Sequence, residues 1–410
     1  MIPSELLPDA PAACVDELEE IERLKGALCA RQARLVAQLA ELSPGSSDRS
    51  LGGEVGMARH ESPSRGRRLL RLGRSLVHDH PEVLGLLQSG EINEARAELV
   101  CTETRDLAAA DRRTADREIA ERLREQPGLG DRDVADLARR VAFRIDATTA
   151  ERRRMRGHAE RRVWSRTHGD GTATVSGRIA DHQMVAIMAS LGHRAETLRA
   201  SGCDDRSRAQ IVADLFVERL TGQATATSTP VRIDLVVPAE TLLGGGDEPG
   251  EVAGLGPVPA QVARDLVHAS PEQATVIRRL FADTDHLVAM ESLSRLFSGL
   301  LRQFLELRDR RCRTPWCDAP IQHGDHVRSV ARGGATSSHN GQGLCLGCNL
   351  MKEEPGWEHT VVSDDVVEAH TVEVTTPTGH RHRSTEPRPP GADPRDHYVQ
   401  TRPGVYSLIA

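Results

Sequence analysis

Cys312-x4-Cys317 and Cys345-x2-Cys348 place two thiolate pairs within 37 residues of one another. Paired cysteines at chelating spacing are the arrangement of a tetrahedral structural zinc site, and two such pairs in one short segment give the fourth ligand as well as the first. With sulfur in all four positions the ion has no open coordination site, so Zn²⁺ held there shapes the chain and does no chemistry itself. The alternative reading is four buried thiols without a metal. Other residue types crowd the same segment: Asp325-His326, the Gly333-Gly334 pair, Thr336, Asn340, and then Asn349 and Lys352 directly behind the second cysteine pair. A zinc clip alone requires the cysteines and none of these.

The elements that would position them can be read from the pattern. Asp325-His326 opens a run, VRSVA, that reads as a strand. Gly333-Gly334 turns the chain, Asn340 lies on the return limb, and CNLMK reads as the start of a helix. These residues resemble the HNH endonuclease family, whose ββα-metal fold is a two-stranded hairpin followed by a helix. The pieces that match are Asp325-His326, GG with Thr336, Asn340 five residues before Cys345, and CNLMK. Asn349 stands where many members carry the last histidine, which makes this an H-N-N variant.

The resemblance implies roles position by position. His326 is the expected general base toward water, suited to it by an ordinary pKa near 6.5. Asp325 and Asn349 are the expected ligands of a catalytic divalent ion, Mg²⁺ or Mn²⁺, for which hard oxygen donors fit. Asn340 is the middle residue of the motif, holding the hairpin and orienting the histidine. Lys352, one helical turn beyond Asn349, is expected on a phosphate, and Arg308, Arg310 and Arg311 beside the first cysteine are expected nucleic-acid contacts. Neighbouring residues on a regular strand face opposite sides, so a shared role for Asp325 and His326 calls for an irregular start, which Gly324 would permit. His323, His339 and the histidines of the tail read as loop residues, and Trp316 and Trp357 as packing.

Upstream the pattern is helical. Leu18, Ile21, Leu24, Leu28, Leu35 and Leu39 recur at helical steps over residues 13–43. Further helices are expected at 65–79, 91–107, 111–125, 131–145, 181–199, 206–220, 259–269 and 286–297. A hairpin is expected about Asp170-Gly171 and a buried strand at 230–238. The segments EVLGLLQSGEINEARAELV, VWSRTHGDGTATV and VPAETLLGGGDEPGEVAGLGPVPA resemble the mainly helical domain of unknown function, family 222, which often precedes HNH domains in bacteria of high G+C content. The expected organisation is a disordered 1–12, a mainly α domain over 13–298 with a small β-hairpin element, an α+β HNH (ββα-metal) domain with a four-cysteine structural zinc over 299–376, and a loose tail over 377–410.

Composition narrows the classes. A net charge of −7 excludes a uniformly basic nucleic-acid coat, although arginines cluster locally. There are 51 arginines and two lysines, Lys25 and Lys352, so Lys352 departs from the habit of the chain. No secretory leader and no run of 18 apolar residues is visible, and a cytoplasmic protein with no membrane partner is expected. The function read from the sequence is metal-dependent hydrolysis of DNA phosphodiester bonds, with a homodimer or a protein partner expected through the helical domain. The alternative is a non-catalytic, zinc-stabilised nucleic-acid-binding protein.

Overall fold

Small and branched apolar residues at three- and four-residue steps fold the first part of the chain into stacked helices. The computed structural model describes residues 8, 10–168, 172–200, 205–222, 234–238, 240–252, 256–268, 282–283, 286–287, 297–363, 369–390, 397–402 and 405–409. The helices are α1 (Pro11–Leu42), α2 (Asp48–Ala58), α3 (Pro63–His78), α4 (Pro81–Ser89), α5 (Glu94–Thr104), α6 (Ala109–Glu125), α7 (Asp131–Ile145) and α8 (Thr149–Ala159). Their main core joins Leu76, Leu86, Leu87, Val100, Ile119 and Val141. Serine and asparagine open three of them: Ser47, Ser62 and Asn93 each accept a hydrogen bond from a backbone N–H of the first turn.

Contacts divide the chain into two units, one formed by residues 1–153 with 278–410 and the other by 154–277. The second unit interrupts the first in sequence, so compactness does not follow the boundary expected near residue 298. Within the second unit β1 (Arg162–Thr167) pairs antiparallel with β2 (Ala173–Arg178). The turn expected at Asp170-Gly171 lies outside the described residues. Helices α9 (Asp181–Ala200) and α10 (Arg208–Thr221) pack through Leu191, Ala195, Ile211 and Leu215. A small sheet of β3 (Leu235–Val236), β4 (Gly250–Val252) and β5 (Gly256–Val258) precedes α11 (Ala260–His268). Of the strand expected at 230–238, residues 230–233 lie outside the described set.

The first unit resumes with a short pair, β6 (Ala282–Asp283) and β7 (His286–Leu287). The helix expected at 286–297 is therefore not present at its first two residues, and 288–296 lie outside the described residues. Then come α12 (Gly299–Asp309), β8 (His323–His326), β9 (Gly341–Leu344), α13 (Leu346–Lys352), β10 (Glu358–Val361), β11 (Thr371–Thr375), β12 (Arg381–Thr385), β13 (His397–Arg402) and β14 (Val405–Ile409). Strands β8 and β9 form an antiparallel hairpin that runs through the second cysteine pair into α13. Strands β10, β11 and β12 form a three-stranded antiparallel sheet. Residues 381–385, expected in a loose tail, are its third strand, pairing Thr371 with Thr385 and Thr375 with Arg381. The architecture is a mainly helical N-terminal region with small sheets, followed by an α+β C-terminal module. Among the described residues no helix is long and apolar enough to cross a membrane.

Candidate active site and metal centre

The four cysteines converge. Cys312 follows α12, Cys317 ends a tight turn in which its N–H donates to the Thr314 carbonyl, and Cys345 is the N-cap of α13. The Cys345 Sγ accepts from the Cys348 N–H at 3.4 Å, which sets the second pair at the helix start. All four Sγ atoms lie within 4.8 Å of one another, and Cys317 and Cys345 are 3.9 Å apart. Tetrahedral zinc with Zn–S bonds of about 2.3 Å requires sulfurs about 3.8 Å apart, so the donor set fits the ion in kind and spacing. The thiols also act on one another: Cys312 and Cys317 hold Cys345 far down, while Cys312 pushes Cys348 up.

The hairpin brings the remaining motif residues to α13. Asp325 pairs with Gln342 across the strands and His326 with Gly341. Lys352 Nζ reaches both, donating to Asp325 Oδ2 at 2.7 Å and to the His326 carbonyl at 2.8 Å. It also lies 3.2 Å from Glu353. The His326 ring turns elsewhere: its Nε2 is 2.9 Å from Thr336 Oγ1 and its centroid 4.6 Å from that of Phe297. Asp325 and His326 thus make these side-chain contacts with different neighbours, as alternation along a strand dictates. Behind Asp325 lies fully buried Gln342, which donates to Asp325 at 3.4 Å and meets His359 Nδ1 at 3.1 Å. His359 has its pKa driven down to about 3 by burial and is neutral.

Asn340 ties the loop between the strands. Its Oδ1 accepts from the Arg328 N–H at 2.8 Å, and its Nδ2 donates to the carbonyls of Arg328 and Ala335 at 2.9 and 2.8 Å. Gly334 makes this possible, because a Cβ there would stand 1.8 Å from the Arg328 carbonyl and 2.6 Å from Asn340 Nδ2. The same loop presents Thr336 to His326. In the sequence Thr336 is only part of the pattern; nothing local signals its contact with the ring, nor the parts played by Gln342 and Phe297.

Two expected phosphate contacts are corrected by burial. Arg308 is 3% exposed. It is bonded to Asp309 at 2.7 Å and donates to the carbonyls of Ser338 and Gly341, both at 2.7 Å. Arg313 and Glu386 complete this network. Burial would push Asp309 up, but Arg308 and Arg313 hold its pKa below the ordinary range. Arg308 is therefore a cross-link between α12 and the hairpin. Lys352 is 9% exposed and its ammonium is fully engaged, so it aligns the hairpin on α13 and has no donor left for phosphate. Arg310 donates to the Arg388 carbonyl, whereas Arg311 is exposed.

Asn349 lies one turn before Lys352, and its Oδ1 is buried without a hydrogen-bond partner. A buried amide oxygen left unpaired is costly, and it is a hard donor. Asp325 adds a carboxylate on the neighbouring strand, joined to the same helix through Lys352. An unpartnered amide oxygen and a carboxylate beside the one lysine that bridges strand and helix suit a hard divalent cation.

A family model described as Domain of unknown function (DUF222) matches residues 15–309. The chain belongs to the DUF222 family. A second model, described as HNH endonuclease, matches residues 310–354, the segment that holds the four cysteines and the ββα hairpin and helix. No curated protein and no solved structure compared with the chain matches it.

In this DUF222 protein the HNH module is not closed on itself. Met57 of α2 shares an apolar cluster with Val327, Met351, Trp357, Val372 and Val374. Trp357 Nε1 donates to Ser50 Oγ at 2.9 Å, and the Thr378 N–H donates to Glu54 at 2.9 Å. A Cβ on Gly53 would stand 2.4 Å from Met351 Sδ, so α2 and α13 meet where only glycine fits. On the other side, Arg67 of α3 reaches the zinc clip. Its Nη2 and the Cys345 Sγ both lie within 4.0 Å of the point a Cβ on Gly347 would occupy.

Proposed function

We propose that this protein is a DNA endonuclease in which the HNH module hydrolyses a backbone phosphodiester bond. The observation that carries the reading is the buried, unpartnered Oδ1 of Asn349 on the helix that also holds Lys352, itself bonded to Asp325. Asp325 and Asn349 would hold Mg²⁺ or Mn²⁺, which when bound supplies charge stabilisation at the phosphate and the leaving oxygen. His326 takes the proton from the attacking water. The contact of its Nε2 with Thr336 and the packing of Phe297 fix the plane of the ring for that task. Asn340 fixes the loop that carries Thr336 and so holds the base in orientation. Arg311 offers an exposed cation beside the first cysteine pair for the DNA backbone. One module makes one nick.

The test is nicking of supercoiled plasmid with Mg²⁺ or Mn²⁺ by the full chain, compared with His326→Ala. The variant keeps its zinc and its thermal transition and loses at least about a hundredfold in rate, the usual contribution of a positioned general base. Equal nicking by both proteins would remove His326 from the mechanism. A second reading, a zinc-stabilised DNA-binding protein without catalysis, draws on the Lys352–Asp325 pair, which already neutralises one of the two oxygen donors. It is separated from the first by DNA binding that persists with no nicking in either metal.

A further inference from the structure

Helix α1 buries one face and leaves another bare. Gly26, Ala30, Ala33, Val36 and Ala37 pack into the helical core. Away from that face, Ile21, Leu28, Leu35 and Leu42 follow one another at seven-residue steps and are 42, 62, 52 and 74% exposed, and Leu18 beside them is 65% exposed. A seven-residue apolar repeat over three intervals is the seam of a left-handed coiled coil, and its partner is a helix of the same repeat. The helix spans 32 residues, about 48 Å at 1.5 Å per residue.

Charge selects the partner and its direction. The first half of α1 carries Asp16, Glu17, Glu19, Glu20 and Glu22, and the stretch after it carries Arg23, Lys25, Arg31 and Arg34. Two copies running the same way would set acid against acid. Run in opposite directions with Leu18 across from Leu35, they pair acidic half with basic half and set Glu22 across from Arg31. Glu22 and Arg31 both flank the seam and both are exposed. We infer that α1 is the seam of an antiparallel dimer formed with a second copy of this chain. The inference stands apart from the nuclease reading, because it rests on a different helix and is tested by mass.

Light scattering on the full chain at about 10 µM is expected to give twice the 44.7 kDa of the single chain. Leu28→Glu with Leu35→Glu is expected to give 44.7 kDa with unchanged helical circular dichroism, since both side chains are exposed in the single chain. Direction is read by charge exchange. Glu22→Arg and Arg31→Glu should each weaken the dimer on the order of tenfold, and together restore it, as expected for two symmetry-related exposed pairs. A wild-type chain of single mass, a dimer that survives the double glutamate variant, or charge exchange without rescue would each overturn the proposal.

Discussion

Replacing Met57 with alanine removes a side chain that is fully buried between α2, α13 and the β10–β11–β12 sheet. Truncation of a buried methionine costs about 2–5 kcal/mol, the larger values arising where the surroundings cannot collapse into the space. Collapse is restricted here. Met351 and Trp357 already lie 2.4 and 2.9 Å from where a Cβ on Gly53 would stand, and Trp357 is anchored by its bond to Ser50. The expected loss is about 3–5 kcal/mol, or a population of opened module raised roughly a hundredfold to several thousandfold. Trp357 reports it directly, because it is 4% exposed whereas Trp164 and Trp316 are 47 and 41% exposed. Urea titration followed by tryptophan emission should shift to lower midpoint in Met57→Ala, and amide exchange should speed up over residues 323–385. A shift confined to the N-terminal helices, with exchange in the C-terminal module unchanged, would refute the claim that α2 belongs to the core of that module.

Three further outcomes follow from the geometry. Lys352→Met leaves the Asp325 carboxylate and the His326 carbonyl without their donor. It should cost about 2–4 kcal/mol by thermal unfolding, and Lys352→Arg should recover only part because a planar fork cannot reproduce the three-way contact. Chelation of zinc, or Cys348→Ser, should release or abolish one bound zinc per chain and lower the melting temperature of the module; an unchanged melt would argue against a structural metal. His359 and His370 are both driven to about 3 by burial, from an ordinary value near 6.5. The unfolded chain therefore binds protons that the folded chain refuses between those values. Stability is complete above pH 6.5 and falls as pH drops toward 3, by at most about 1.4 kcal/mol per pH unit for each histidine. His359→Gln should roughly halve that slope in urea titrations taken from pH 7 to pH 4.5.

What can be read in the sequence is what is encoded locally. The cysteine spacings, the turn at Gly333-Gly334 and the three- and four-residue steps of α1 each lie within one element or one loop. Helix α2 is not legible there, and the reason is physical. Gly52, Gly53 and Gly56 each weaken a helix by about 1 kcal/mol relative to alanine, so SLGGEVGMA reads as a loop. In the structure these glycines allow close packing: a Cβ on Gly52 would stand 2.8 Å from the Arg67 Cα, and one on Gly66 would stand 1.9 Å from the Gly52 carbonyl. The helix is held by the crossing that its poor propensity permits. Arg308 and Lys352 are misread from sequence for a related reason. A cation in a basic stretch reads as a surface group, and the carboxylates that draw these two inward, Asp309 and Asp325, act through a fold that the spacing does not specify.

The apolar cluster of Met57 with Met351 and Trp357 also orders events in time. A chain made from its N-terminus presents α2 long before α13 exists, with roughly 300 residues still to be added, on the order of 15–60 s at 5–20 residues per second. Through that interval the face of α2 that will receive Met351 stays open to solvent or to whatever shields nascent apolar surface. The module closes only when the last part of the chain arrives. A chain broken off anywhere before the three-stranded sheet lacks Val372 and Val374 and so cannot complete the cluster. Unfinished copies are by this construction left without a folded HNH module.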